Sequence, residues 1–346
     1  MRLRQIPLTE HFFDAKSLYG KPEDVEQDYA GLVAHIRNFW GMSQPFGTSR
    51  WASLSVEDVF TSLTLLNDFS ASGTDEKARS QLLVNGLIRY IRRSISYSTL
   101  FRFGVHTKFL AQRLKPKDSV LSFNYDLLMD QELLNDADGP LQYQNFSVKL
   151  LGADILDVGP SYCEARRRLS EAASVGPTDG LYLKLHGSLN WFTCANRVCP
   201  LSKKITVVPS VGQCLGSSAI GVPFQCNYCH SYLVPFIVPP LVEKRVMTEP
   251  HLRNTWGNAF ALLQDASKIV VIGFSFQPSD FYATWLFRYA LKGRSNAKVW
   301  VVNPLNDPAK AGHSEFRERM SNIFVNGYDE TCFGFHQVGD VLNAGD

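Results

Sequence analysis

The chain of 346 residues has no marked excess of charge: 35 Lys and Arg against 33 Asp and Glu leave a net charge of +2. A nucleic-acid surface driven by bulk charge needs a basic excess, so no direct nucleic-acid binding is expected. The basic clusters at 92–93 and 166–168 read as solvated helix faces. Long hydrophobic runs are missing too. The apolar stretches last a few residues, against ~20 for a spanning helix, so no membrane segment is expected. Residues 1–7 lack the apolar core of roughly 7–15 residues that a secretory signal needs. A cytoplasmic protein is the expectation, and its seven cysteines are then thiols or metal ligands before they are disulfides. Internal repeats and low-complexity tracts are absent as well.

What is present is enough length for one large domain or two modest ones. From 31 to 114 the apolar spacing is helical. Leu32, Val33, Ile36, Phe39 and Trp40 share one face. Val56, Val59, Phe60, Leu63 and Leu66 share another after a Ser55-x-x-Asp58 capping signature, and Leu82, Leu83, Leu87, Ile88 and Ile91 a third. An amphipathic run continues through Phe109 to Leu114. Beyond Lys115 and Pro116 the pattern changes to short β-branched or apolar runs at 119–123, 181–185, 205–208, 233–238, 269–274 and 298–302. Helical stretches at 253–266 and 279–291 alternate with them. The expected class is α/β: a mostly parallel sheet with helices on both faces. The polar stretch around 135–160 reads as an irregular connection.

Cys194-x4-Cys199 followed by Cys226-x2-Cys229 has the spacing of a small zinc ribbon, in which four thiolates close a tetrahedral structural site. The first pair is looser than the usual two-residue spacing. Pro200, Gly212, Gly216 and Gly221 suit a loop-rich lobe that needs a metal to hold it. His230, beside Cys229, is an alternative ligand. Four closed thiolates leave no open position, so such a metal is structural. The competing reading is a set of scattered cytosolic cysteines, which leaves a Cys-x2-Cys in a polar insert without a packing reason. Cys163, Cys214 and Cys332 have no evident partner.

Three apolar runs end in polar signatures: 120–126 in Ser122, Asn124 and Asp126; 181–191 in His186 and Gly187; 269–275 in Gly273 and Ser275. In an open α/β sheet, groups at the carboxyl ends of parallel strands meet in one crevice. Taken singly each has an ordinary explanation. His186 can be a buried residue closing a strand, Asn124 a turn former, Gly273 a close-packing glycine and Asn303 before Pro304 a turn.

Together these residues resemble the sirtuin-like (SIR2) superfamily, in its divergent bacterial branch. The resemblance covers roughly 120–304. Ser122, Phe123, Asn124 and Asp126 are similar to the family's Thr-Gln-Asn-x-Asp motif, and His186-Gly187 to its His-Gly. The paired cysteines match its zinc ribbon. Gly273, Phe274 and Ser275 are similar to its Gly-Thr-Ser, and Asn303 to the asparagine that meets the adenosine ribose. The resemblance implies a Rossmann-like sheet over 1–30 and 115–346, a helical insert at 31–114 and a zinc-ribbon insert at 192–232. It implies NAD as substrate, structural zinc, His186 as general base, Asn124 as the positioning amide and Asp126 as a support or ribose contact. The remaining NAD contacts fall on Ser122, Gly273, Phe274, Ser275 and Asn303.

The sequence also departs from the family. A Gly-Ala-Gly-x-Ser loop, whose amides would approach the pyrophosphate, has no counterpart, and residues 6–13 resemble the segment that follows it. Catalysis then requires that the first strand and loop be supplied or dispensable. Phe123 stands where the family has Gln and Phe274 where it has Thr. Pro235, Pro239 and Pro240 remove amide donors from the segment that deacylases pair with an acyl-lysine peptide. The resemblance therefore points to an NAD hydrolase of bacterial anti-phage defence, acting as a homo-oligomer or with a defence partner. A protein-lysine deacylase is the second enzyme reading. A catalytically inactive NAD or ADP-ribose binder, or a scaffold, is the third.

Overall fold

The computed structural model describes residues 12–14, 18–99, 105–115, 117–134, 146–147, 154–155, 180–208, 214, 224–238, 250–331 and 335–343. Among these residues six helices occupy the first third: α1 Pro22–Asp28, α2 Ala30–Phe39, α3 Ser49–Ala52, α4 Val56–Phe69, α5 Asp75–Thr99 and α6 Val105–Ala111. Pro22 opens α1, where a missing amide costs nothing, with Glu23 and Asp24 in the positive first turn. The Ser55 hydroxyl caps α4 by accepting from the Glu57 amide at 3.0 Å. That bond goes to the second helical position, one residue short of the Asp58 that the capping signature implied. The predicted apolar faces are buried at Leu32, Val33, Ile36, Val56, Val59, Phe60, Leu63, Leu83, Leu87 and Ile91. Phe39 and Leu82 are corrections: both are exposed, each lying at the margin of a stripe that faces its neighbours over a narrower arc than the spacing alone implies.

The remainder alternates strands and helices: β1 Val120–Ser122, α7 Leu128–Leu134, β2 Phe146–Ser147, β3 Asp154–Ile155, β4 Gly180–Lys184, β5 Gly187–Cys194, β6 Thr206–Val207, β7 Leu233–Ile237, α8 Pro250–Asp265, β8 Lys268–Ile272, α9 Phe281–Ala290, β9 Lys298–Val302, α10 His313–Ile323, β10 Asp329–Thr331 and α11 Phe335–Asn343. Two three-stranded sheets form, in the orders β1-β4-β2 and β10-β9-β8, and every pair in them is parallel. A third sheet, β3-β6-β5-β7, is mixed, because β5 runs antiparallel to both β6 and β7. The protein is thus mixed α/β with parallel sheets. The expectation of strands in a mostly parallel arrangement holds outside the cysteine lobe and fails inside it, where β5 and β7 flank the lobe as a hairpin-like pair.

The same helices cover both parallel sheets. On one face, Leu121, Leu181 and Leu183 share a buried cluster with Ile269, Val271 and Val301, closed by Leu252, Trp256, Ala259 and Leu263 of α8. On the other face α6 touches both: Ala111 packs by Tyr182, and Phe109 and Leu110 pack by Val270 and Ile272. A separate cluster runs from the first helices into the cysteine lobe, joining Leu63, Leu87 and Tyr90 to Phe192, Cys194, Cys226 and Ile237. The Arg92 guanidinium lies 4.7 Å over the Phe192 ring, which ties α5 to β5. Among the described residues no helix is long and apolar enough to cross a membrane.

Candidate functional site

The loop after β1, the turn between β4 and β5, and the loop after β8 come together. Parallel pairing of β1 with β4 sets Ser122 beside Lys184, and the Leu185 amide continues the ladder to the Ser122 carbonyl at 2.9 Å. His186 follows at once, buried. Gly187 then turns the chain at a φ of +81°, and a Cβ there would stand 2.6 Å from the Phe236 carbonyl oxygen. Only glycine satisfies both demands. The His186 ring meets Phe123 edge-on at 5.4 Å, lies near Tyr125 at 6.1 Å and is flanked by Trp256 at 6.2 Å. Trp256 is held in turn by its indole N–H, which donates to the Leu185 carbonyl at 2.9 Å.

Across the crevice Phe123 stacks on Phe274, with centroids 4.3 Å apart and planes 11° from parallel. Gly273 turns the chain after β8 at a φ of +69° while its amide donates to the Val302 carbonyl. The Asn303 amide nitrogen reaches the Phe274 carbonyl at 3.4 Å, and its side-chain oxygen accepts from the Leu305 amide at 2.9 Å. Ser275 offers its carbonyl to Arg319 at 2.9 Å. The ends of β1, β4, β8 and β9 therefore meet around one pair of phenylalanine rings. Asn124 is exposed beside them, its amide 3.3 Å from the Ser122 hydroxyl. Asp126 is turned elsewhere: its carboxylate accepts from the Leu128 amide at 2.9 Å and so caps α7.

The ring nitrogens of His186 are distinguishable. Nδ1 lies 3.1 Å from the Phe123 carbonyl, which can only accept, so Nδ1 carries the proton in the neutral ring. The lone pair is then on Nε2, which faces Asp280 Oδ1 at 3.8 Å. Burial raises the Tyr125 phenol well above its ordinary pKa, with the Asp280 and Glu57 charges adding to the effect. Its hydroxyl donates to the Val238 carbonyl at 2.5 Å, and the Val238 amide donates to the His186 carbonyl at 2.8 Å. Beneath the loop lies a buried ion pair. Lys184 Nζ is 2.8 Å from Asp130 Oδ2 and 2.5 Å from the Asp126 carbonyl. Tyr182 donates to the same Asp130 oxygen at 2.8 Å. This pair fixes the backbone at Tyr125 and Asp126, just after Asn124. Burial pushes the Asp126 carboxyl up, with the Lys184 charge as the main opposing effect.

The four cysteines predicted as ligands gather at the far end of β5. The sulfurs of Cys194, Cys199, Cys226 and Cys229 all lie within 4.8 Å of one another, with Cys194 to Cys229 at 3.4 Å and Cys199 to Cys226 at 3.8 Å. Zinc–thiolate bonds of about 2.3 Å in a tetrahedron give sulfur separations of about 3.8 Å, whereas a disulfide requires ~2.05 Å. The set could hold a metal ion such as zinc, and all four cysteines are free. Desolvation pushes the Cys194 thiol up to about 12, while the Ser231 hydroxyl and amide hold Cys229 down to about 6. A cation at the centre would draw all four down together. His230 is not in the set: it takes a φ of +58°, and its amide donates to the Cys226 carbonyl at 2.9 Å, closing the knuckle. Cys214 sits apart and buried, its sulfur 3.9 Å from Arg92 and 3.2 Å from the Leu189 carbonyl. Cys163 and Cys332 lie outside the described residues.

Sequence reasoning missed Lys184, Trp256 and Asp280. Lys184 hides in an apolar run, and Trp256 reads as the core face of a helix. Asp280 reads as the cap of the helix that follows it. No family model, curated protein or solved structure matches this chain, so its chemistry rests on these residues alone.

Proposed function

We propose that this crevice is a nucleotide site of the sirtuin-like kind and that the chain is an NAD+ hydrolase. The two parallel sheets are read as halves of one doubly wound, Rossmann-like layer, supported by α6 and α8 packing across both. In such a layer the ligand crevice lies outside the carboxyl ends of the strands, at the point where the order reverses. The observation that carries the reading is the meeting of His186, Asn124, Gly273 and Asn303 at those ends, around the Phe123–Phe274 stack.

The chemistry follows from the groups present. Nicotinamide leaves ribose as a neutral base while positive charge develops on the sugar, as in other glycosyl transfers. His186 is the general base and takes the proton of a ribose hydroxyl or of the attacking water. Water adds to the anomeric carbon as the carbon–nitrogen bond breaks, giving nicotinamide, ADP-ribose and a proton. The Asn124 amide orients that water or hydroxyl. Phe123 and Phe274 keep the pocket apolar, which favours loss of a charged leaving group's charge over its retention. The cysteine set would hold zinc as a structural ion, remote from this step. Depletion of NAD during phage infection is the use that the resemblance implies.

A deacylase would pair an acyl-lysine peptide as an added strand. β7 is the edge strand of its sheet among the described residues, yet Pro235 in its centre has no amide to donate, which weighs against peptide pairing. The test is nicotinamide release from NAD by the purified chain, with and without an acyl-lysine peptide, beside His186→Ala. Peptide-independent release abolished in His186→Ala supports hydrolysis. Release only with peptide would turn the reading to deacylation. Binding of NAD or ADP-ribose without any release would leave a nucleotide-binding module.

A further inference from the structure

The even charge of the whole chain conceals an uneven distribution. Its 33 Asp and Glu in 346 residues would place about six in a stretch the length of 180–242, yet none falls between Gly180 and Val242. That stretch carries four cations, which leaves the other residues a net charge of −2. One of the four, Lys184, is buried against Asp130. The other three, Arg197, Lys203 and Lys204, are exposed on the cysteine lobe, whose own sequence has no carboxylate to oppose them. Among the described residues neither Arg197 nor Lys204 has a side-chain partner.

The same lobe exposes rings. Tyr228 is 67 % exposed and Tyr232 61 %, with Val198 at 88 %. Among the described residues neither tyrosine ring stacks on another or lies under a cation, and neither hydroxyl has a hydrogen-bond partner. An aromatic left in water forgoes the burial that ordinarily stabilises it. The backbones beneath are fixed. Tyr228 lies in the turn between Cys226 and Cys229, closed by the His230 amide on the Cys226 carbonyl at 2.9 Å. Tyr232 bridges to Gln225, and its carbonyl accepts from the Ala195 amide at 3.1 Å. Arg197 and Val198 lie in the turn between Cys194 and Cys199, where the Val198 amide donates to the Asn196 side chain at 3.2 Å. Lys204 follows the short 3-10 turn that Cys199 caps. The sulfurs of both turns lie within 4.8 Å of one another, so rings and cations are carried on one small platform.

Phosphates and bases are the groups this combination fits. Cations take a polyanionic backbone, and an open ring face takes a base, which a single strand can offer and a duplex keeps in its stack. An acidic peptide would satisfy the charges and leave the rings without flat partners. We propose that the cysteine lobe is a binding surface for single-stranded nucleic acid, with Arg197 and Lys204 on phosphates and Tyr228 and Tyr232 stacking on bases. Lys203 adds its charge to the local field. Stacking accepts every base, so the surface reads strandedness rather than sequence. None of the crevice residues takes part, and the surface is independent of whether the chain hydrolyses NAD.

The test is fluorescence anisotropy of a labelled oligothymidylate of about 12 nucleotides, titrated with the full chain without NAD. The expected Kd is on the order of 10–100 μM at ~50 mM salt, and with two phosphates neutralised log K falls with log salt at a slope of about −1.4. Tyr228→Ala and Tyr232→Ala each weaken binding about tenfold and leave that slope unchanged. Arg197→Ala and Lys204→Ala each reduce the slope by about 0.7. All four side chains are exposed, so thermal midpoints match wild type. A Kd weaker than ~1 mM at low salt overturns the proposal. Unchanged affinity in both tyrosine variants, or inorganic polyphosphate competing as well as the strand at equal charge, reduces the surface to a bare cationic patch and overturns it too. A duplex bound as tightly as the strand, or polyglutamate displacing the strand at equal charge, is equally fatal. An unchanged slope in both cation variants puts the binding elsewhere on the chain and defeats the assignment.

Discussion

The cysteine lobe and the strand-end crevice share one strand and are held together in opposite ways. At the Cys194 end of β5, four sulfurs crowd within 4.8 Å of one another, a gathering of like groups in one small volume. At the Gly187 end, side chains brace the strands through hydrogen bonds: Trp256 on Leu185, Tyr125 on Val238, Lys184 on Asp130, Asn303 on Phe274. The lobe could hold a metal ion such as zinc among its sulfurs, whereas the strand ends are tied to one another by side-chain hydrogen bonds. A thiolate cage and a cross-braced set of strand ends call for contrary constructions.

The largest expected effect breaks the lobe side of the comparison. Metal analysis of the purified chain should find one zinc per chain, and Cys226→Ser should lose it together with most of the thermal stability. Structural zinc in small thiolate sites contributes on the order of 10 kcal/mol. A metal-free chain with an unchanged melting temperature would remove zinc from the account. Next comes the ion pair under the crevice. Lys184→Met leaves the Asp130 carboxylate buried without its cation and should cost about 3–5 kcal/mol by denaturant titration, whereas Lys184→Met with Asp130→Leu should recover most of that loss. Equal losses in the single and double variants would mean that packing, not charge, sets the value.

Gly187→Ala forces a Cβ against the Phe236 carbonyl at a left-handed φ and should cost about 2–3 kcal/mol. The same denaturant titration reads it, and a cost below ~1 kcal/mol would show that β5 and β7 can part at no penalty. The smallest effect is in the pH dependence. The Asp126 carboxyl is raised by burial, so just above the ordinary carboxylate range the folded state binds more protons than the unfolded chain. Stability should then fall as pH rises from the ordinary carboxylate value through the raised one, the reverse of a salt-bridged aspartate. Asp126→Asn keeps the cap of α7 and should flatten that slope; a slope identical to wild type would assign it to another carboxyl.

Much of the architecture was legible because apolar runs of four to six residues in an α/β chain have few other uses: β1, β6, β7 and β9 fall within the expected runs, and β4 and β8 begin one residue before theirs. The cysteine set was legible from spacing alone. β5 was not, although it is the longest strand among the described residues. Its Ser188, Asn190 and Thr193 give it the look of a loop, and only its central place in the mixed sheet buries Ser188 and Asn190. Asp280 was illegible for a different reason. Its sequence neighbours Gln277, Pro278 and Ser279 spell a helix start, and nothing local tells a capping carboxylate from one turned toward a histidine 94 positions earlier in the chain. Lys184 was masked by the apolar residues on both sides of it, since a charge inside such a run has meaning only once its partner Asp130 is known.

β5 itself carries one further consequence. Its pairing with β7 is regular from Phe192 to Cys194 and shifts register between Gly187 and Phe192. The two ends of this one strand are therefore set by separate stretches of pairing, joined across a break in the register rather than by one continuous ladder.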